Sequence, residues 1–187
     1  MTMDHHLDLR LLPDPEFGPL ALMEALYAKL HRALAAGGCT DIGVSFPEVK
    51  ALELGLCLRL HGSREALAAL MGTAWLRGMR DHLAVGEIGV APAQARHCCV
   101  SRRQSHSSPE RMRRRLMRRQ QIDEATARER IPDQAATFLR LPSLQVRSSS
   151  TGQHFRLFIQ HGPLQDAPVP GAFNAYGLST SATVPWF

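Results

Sequence analysis

Between Leu20 and Ala35 the apolar residues Met23, Leu26, Tyr27, Leu30 and Leu34 recur at three- and four-residue steps. That is the spacing of a helix with one buried face, and such a face requires a sheet or another helix to cover it. Gly37 and Gly38 end the helix. Before it, "HHLDLRLL" (His5 to Leu12) alternates as a strand does, and the turn-rich "PDPEFGP" breaks the chain. After it come two short strands, "IGVSF" and "LGLCLRL". A second helix, "SREALAALMGTAWL", has Ser63 as its N-cap, and "LAVGEIGVAP" reads as a fourth strand. The order β-α-β-β-α-β, complete near Pro92, matches the ferredoxin-like motif, so the expected class is α+β.

Beyond residue 94 the pattern changes. "AQARHCCVSRRQSHSS" has polar and basic residues without a period and reads as an irregular linker. Ser108 suits an N-cap and Pro109 a first helical position, which predicts a helix over about 109–120. "DEATARERI" opens another helix, capped by Asp123 and ended near Pro132. In "LQVRSSSTGQHFRLFI", a two-residue turn at Thr151 and Gly152 would set Ser148 opposite Phe155, Val146 opposite Leu157 and Leu144 opposite Ile159. The expected division is a ferredoxin-like domain over 1–94 and a smaller α/β domain over 95–187 that carries the arginine helix.

The 187 residues are 44% apolar, enough for a core. Four cysteines, Cys39, Cys57, Cys98 and Cys99, form no CxxC pair, so neither a disulfide framework nor a zinc site is expected, and no metal or cofactor is called for. "MTMDHHLDLR" lacks the basic and apolar regions of a signal peptide, and no run approaches the roughly 20 apolar residues of a membrane span. The expectation is a soluble, cytoplasmic protein without a membrane partner.

The formal net charge is +5 and the pI is near 9.5, yet "RMRRRLMRRQ" puts six arginines into ten residues. Only Glu110 is acidic between Arg102 and Gln120. On a helix, Arg111, Arg114, Arg115, Arg118 and Arg119 share one arc, while Met112, Leu116 and Met117 lie opposite with Arg113 among them. A solvated charged face mixes signs, and a membrane-surface helix carries more apolar bulk. The unbalanced arc fits nucleic acid, whose phosphates and base edges match the arginine fork. A DNA major groove or the end of a short RNA hairpin would accept it.

These segments resemble the CRISPR repeat-processing endoribonucleases of type I-F systems. The similarity spans nearly the whole chain. It includes "FGPLALMEALYAKLH", "IGVSFP", "SRRQSHSSPERMRRRLMRRQ", "RIPD", "RSSSTGQHFRLFIQHGPLQ", "YGLS" and "VPWF". The resemblance implies binding of the CRISPR repeat RNA stem-loop and one metal-independent cut at the 3′ base of the stem. It implies a mature guide RNA that stays bound and joins the other subunits of a type I-F surveillance complex. By the same resemblance His31, in "KLH", is the general base, Ser148 holds the ribose 2′-hydroxyl, and Tyr176 orients the histidine. Phe155 becomes a platform for the terminal base pair, Arg102 and Gln104 read base edges low in the stem, and Arg115 is the helix residue suited to a base contact. Arg114, Arg118 and Arg119 are assigned to phosphates, and Arg111 shares their arc. Gln120 stands where the family carries a histidine, and "HCCV" replaces a more polar segment.

Read by chemistry alone, His31 is a boundary histidine, Tyr176 a structural tyrosine and Phe155 a core residue. A hairpin-binding subunit without cleavage would carry the same arginine helix. A basic DNA-binding module would not need the trio His31, Ser148 and Tyr176.

Overall fold

The structure, a computed structural model, describes residues 3–104, 109–132, 139–147 and 152–187. The class is α+β, with antiparallel sheets and four helices among the described residues. The chain forms two compact units: Met1–Arg103 with Leu141–Phe187, and Gln104–Arg140.

In the first unit, β1 (His5–Leu11), β2 (Gly43–Ser45), β3 (Cys57–Gly62) and β4 (Leu83–Val85) form an antiparallel sheet in the order β2-β3-β1-β4. Leu7 pairs with Leu60 and Leu9 with Leu58, so all four turn to the same side and are buried. α1 (Pro19–Gly37) buries Leu22, Met23, Leu26, Tyr27, Leu30 and Leu34, and α2 (Arg64–Gly72) adds Leu67 and Leu70. Fully burying one such leucine stabilises the fold by about 1.5–3 kcal/mol. Pro19 starts α1, and Gly38 closes it at φ 60°, a left-handed conformation that glycine adopts without strain.

Several expectations are corrected. α2 begins at the Ser63 cap, whose oxygen accepts from Ala66 N, but it ends at Gly72 rather than running to Leu76. Thr73 leaves the helix, and the turns after it carry Leu76 and Met79 into the core. The fourth strand is split into β4, paired with Leu9–Leu11, and β5 (Gly89–Val90), paired with His5–His6. Between them Gly86 N donates to Asp8 O at 2.8 Å, so close that an added Cβ would lie 3.2 Å from that oxygen.

The stretch expected to be an irregular linker contains β6 (Arg96–Cys98) and β7 (Val100–Arg103). β6 pairs with β10 (Val184–Trp186) near the end of the chain. β7 pairs with β9 (His154–His161), which also pairs with β8 (Ser143–Arg147). Partners so distant leave no local periodicity.

The β8–β9 register also differs. Phe155 faces Val146 and Leu157 faces Leu144, a slip of two residues, and Arg147 with His154 is the last pair among the described residues. A two-residue slip keeps every side chain on its face, so the apolar pattern cannot detect it. Ser148 lies outside the described residues, as does the expected cap Ser108.

In the second unit, α3 (Pro109–Gln120) spans the expected range and packs with α4 (Glu124–Arg130). Asp123 caps α4 by accepting from Thr126 N at 2.8 Å. The packed face of α3 departs from expectation: Met112 is 37% exposed, whereas Arg113 is only 5% exposed. Arg113 Nε donates to Ile131 O at 2.7 Å, a carbonyl just past the end of α4. The charged head finds an acceptor there while its stem stays buried.

The first unit also holds neutral histidines, His61 buried and His161 half-buried. His61 is fully buried beside Ser45 Oγ (2.8 Å), and burial holds its pKa well below the usual value. His161 Nε2 accepts from Phe46 N at 3.2 Å, and burial lowers its pKa to about 4. In the unfolded chain both titrate near 6.5, so the unfolded state binds more protons below that pH. Stability is therefore complete above pH 6.5 and falls as pH drops from 6.5 toward 4. His161 alone contributes on the order of 2–3 kcal/mol to that fall. Urea unfolding at pH 7 and pH 4.5 should show a lower midpoint at the acid value, and His161→Gln should reduce the difference.

Candidate active site and nucleic-acid interface

His31 projects from the last turns of α1 and is 8% exposed. Its Nδ1 lies 2.9 Å from Ala175 O. A carbonyl can only accept, so Nδ1 carries the proton, and in the neutral ring the lone pair is on Nε2. The imidazole stacks on the Tyr176 ring, with centroids 3.9 Å apart and planes 3° apart. One contact thus fixes the ring's rotation and the other its plane.

Tyr176 sits in a turn that runs from Asn174 to Leu178. Gly177, at φ 69°, lets the chain reverse, and a Cβ there would meet Val44 Cγ1 at 2.6 Å. Val44 N donates to Gly177 O at 3.0 Å, which ties the turn to β2. Burial raises the Tyr176 hydroxyl above its ordinary pKa, against the pull of Arg102, so the phenol is protonated at neutral pH.

Phe155 lies half-buried on β9, edge-on to Tyr176 with centroids 6.5 Å apart. The Arg102 guanidinium, carried by β7, lies 5.0 Å from the Phe155 ring centroid. Arg102 Nε is buried without a hydrogen-bond partner. A guanidinium over an aromatic face is a cation–π contact. The structure therefore brings His31, Tyr176, Phe155 and Arg102 into one chain of contacts. Gln104 is exposed just past the end of β7.

On α3, Arg111, Arg114, Arg115, Arg118 and Arg119 are all exposed, as their shared arc predicts. Arg118 and Arg119 fall in the last turn, where positive charge also complements the helix dipole. Two residues that hold the site were not singled out in the sequence. Tyr27, read only as core, donates its hydroxyl to Tyr176 O at 2.7 Å. Asn174 accepts from Tyr176 N at 2.8 Å, and "NAYG" is the turn signal that could have found it.

The fold and site together describe an α+β protein with a stacked histidine–tyrosine pair, a neighbouring arginine-covered phenylalanine and a separate arginine-faced helix. The family model for CRISPR-associated protein (Cas_Csy4) matches residues 6–187. A CRISPR-associated endonuclease Cas6/Csy4 of Pseudomonas aeruginosa (strain UCBPP-PA14) is 54% identical over 187 residues, covering 99% of this chain and 100% of the relative. A CRISPR-associated endonuclease Cas6/Csy4 of Escherichia coli (strain UTI89 / UPEC) is 47% identical over 185 residues, with 99% and 100% covered. The chain belongs to the Cas_Csy4 family of CRISPR-associated proteins, the family its motifs resemble.

Proposed function

We propose that this protein is an endoribonuclease that binds the CRISPR repeat stem-loop and cuts once at the 3′ base of the stem. The observation that carries this reading is the His31 imidazole, held by Ala175 O and Tyr176 with its lone pair on Nε2. A histidine so held can take the proton of a 2′-hydroxyl as a general base. The resulting alkoxide attacks the adjacent phosphorus in line. The 5′-oxygen leaves with the electron pair of the broken P–O bond and takes a proton from water, giving a 2′,3′-cyclic phosphate and a 5′-hydroxyl. No step calls on a metal ion. Ser148 holds the ribose and forms no covalent bond to RNA.

Phe155 stacks on the terminal base pair, a contact worth about 1–3 kcal/mol. Arg102 and Gln104 read lower-stem base edges, and Arg115 makes a base contact from α3. Arg111, Arg114, Arg118 and Arg119 hold phosphates, which set register without reading sequence. The cut guide RNA stays bound and enters a type I-F surveillance complex in the cytoplasm. Among the described residues no helix is long and apolar enough to cross a membrane.

The antiparallel order β2-β3-β1-β4, with α1 and α2 as the connections, supports a ferredoxin-like reading of residues 1–94. The RNA-reading residues all fall within 95–187, which we treat as the binding half of the chain.

The test is a radiolabelled repeat hairpin mixed with the purified protein in EDTA. One cut at the 3′ base of the stem, leaving a cyclic phosphate, is the expected result. Tight binding without any cut would instead mark a hairpin-binding subunit.

A further inference from the structure

Two successive carbonyls of the Tyr176 turn are gripped from one face of α1. His31 Nδ1 donates to Ala175 O, and Tyr27 Oη donates to Tyr176 O at 2.7 Å. Tyr27 precedes His31 by four residues, which puts the two side chains one above the other on the helix. The Tyr27 ring also lies nearly parallel to that of Tyr176, 15° apart with centroids at 6.4 Å.

The turn itself closes on Asn174. Asn174 Oδ1 accepts from Tyr176 N at 2.8 Å and from Leu178 N at 3.3 Å. The Asn174 carbonyl accepts from Gly177 N at 2.8 Å, and its own N–H donates to Leu178 O at 2.9 Å. Four hydrogen bonds thus converge on one exposed residue. Without the side chain, the backbone N–H groups of Tyr176 and Leu178 would lose this acceptor. The turn would then be free to tilt the ring against which His31 rests.

We propose that Tyr27 and Asn174 are positioning residues for the cleavage reaction. Tyr27 sets the height of the Tyr176 segment over α1. Asn174 sets the direction in which the Tyr176 ring leaves the turn. Together they fix the stack that holds the imidazole, and the role asks neither to touch RNA. The inference rests on the reading of His31 as general base. It extends that reading to groups whose only link to the chemistry is geometric. A misplacement of about 1 Å can cost on the order of 10²-fold in rate, so a partial loosening costs less.

Two mild variants separate this role from a structural one. Asn174 is exposed, so Asn174→Ala opens no core. Tyr27 is fully buried, and Tyr27→Phe keeps its ring while deleting only the hydroxyl. Three readouts are taken: single-turnover cleavage at saturating repeat RNA, hairpin Kd, and the NMR shifts of the His31 ring protons in RNA-free protein. Asn174→Ala should slow cleavage about tenfold and Tyr27→Phe about three- to tenfold, with Kd within about twofold of wild type. In both, the His31 ring protons should move downfield as the Tyr176 ring current weakens. Asn174→Asp retains the acceptor oxygen and should restore both rate and shifts.

Unchanged His31 shifts in Asn174→Ala and Tyr27→Phe would overturn the proposal, whatever the rates. So would an Asn174→Asp variant as slow as Asn174→Ala. A wild-type protein that does not cut the hairpin would instead overturn the reading of His31. The NMR shifts would still report on the clamp.

Discussion

Replacing His31 with alanine should slow repeat cleavage by about 10³-fold or more and leave hairpin affinity within about twofold. A positioned general base contributes roughly 10²–10⁴-fold. The larger end is expected because Ala175 O fixes the proton-accepting nitrogen before RNA arrives. Binding should survive because Phe155, Arg102 and the arginines of α3 are untouched. The complementary substrate change is a single 2′-deoxy nucleotide just upstream of the scissile phosphate. It should bind normally and resist wild-type cleavage, since the attacking oxygen is gone. Cutting of that substrate at the ordinary site and rate would rule out 2′-hydroxyl attack and with it the role given to His31.

The second large effect is electrostatic. Arg118 and Arg119 lie exposed in the last turn of an α3 face with no intervening acidic residue. Phosphate contacts release counterions, and each contributes roughly 0.7–0.9 to the slope of log affinity against log salt. The double change Arg118→Ala and Arg119→Ala should lower that slope by about 1.4–1.8 and weaken binding to every stem sequence alike. Arg102→Ala should behave differently. It should relax preference among lower-stem base pairs, each worth about 1–3 kcal/mol, while changing the salt slope little. Hairpin variants titrated across a salt series separate the two. The assignment fails if both variants lose affinity equally for every stem with the same change of slope.

What the chain discloses before folding depends on how far apart the interacting residues lie. α1 could be read from its own five apolar positions, and α3 from Pro109 and the run of arginines, because helical contacts are local. β6 and β7 could not, because their partners β10 and β9 lie far along the chain. The β8–β9 hairpin was visible as a pair of alternating segments. Its register was not, since positions 146 and 148 are two apart and alternation cannot choose between them; Val146 is the one that faces Phe155. Met112 and Arg113 show the limit on α3, where hydrophobicity named the wrong residue for the packed face. Arg113 is the one with an acceptor at its tip.

At the candidate site, resemblance named His31 and Tyr176, but spacing alone could not join residues 31 and 176. The stack at 3.9 Å shows where they meet, and the Ala175 carbonyl shows which nitrogen is free. Tyr27 and Asn174 escaped notice for opposite reasons. One looks like ordinary core, and the other like an ordinary turn residue.

The bond that sets the tautomer of His31 ends on a main-chain oxygen, and every amino acid brings that oxygen with it. Selection acting on side chains therefore has little hold on this half of the pair. Position 175 can drift in sequence while the atom that matters stays in place. A saturation screen of single substitutions should score residue 175 as permissive and its neighbours at 174 and 177 as restrictive. A map of the site drawn from mutational sensitivity alone would thus omit one of its working atoms.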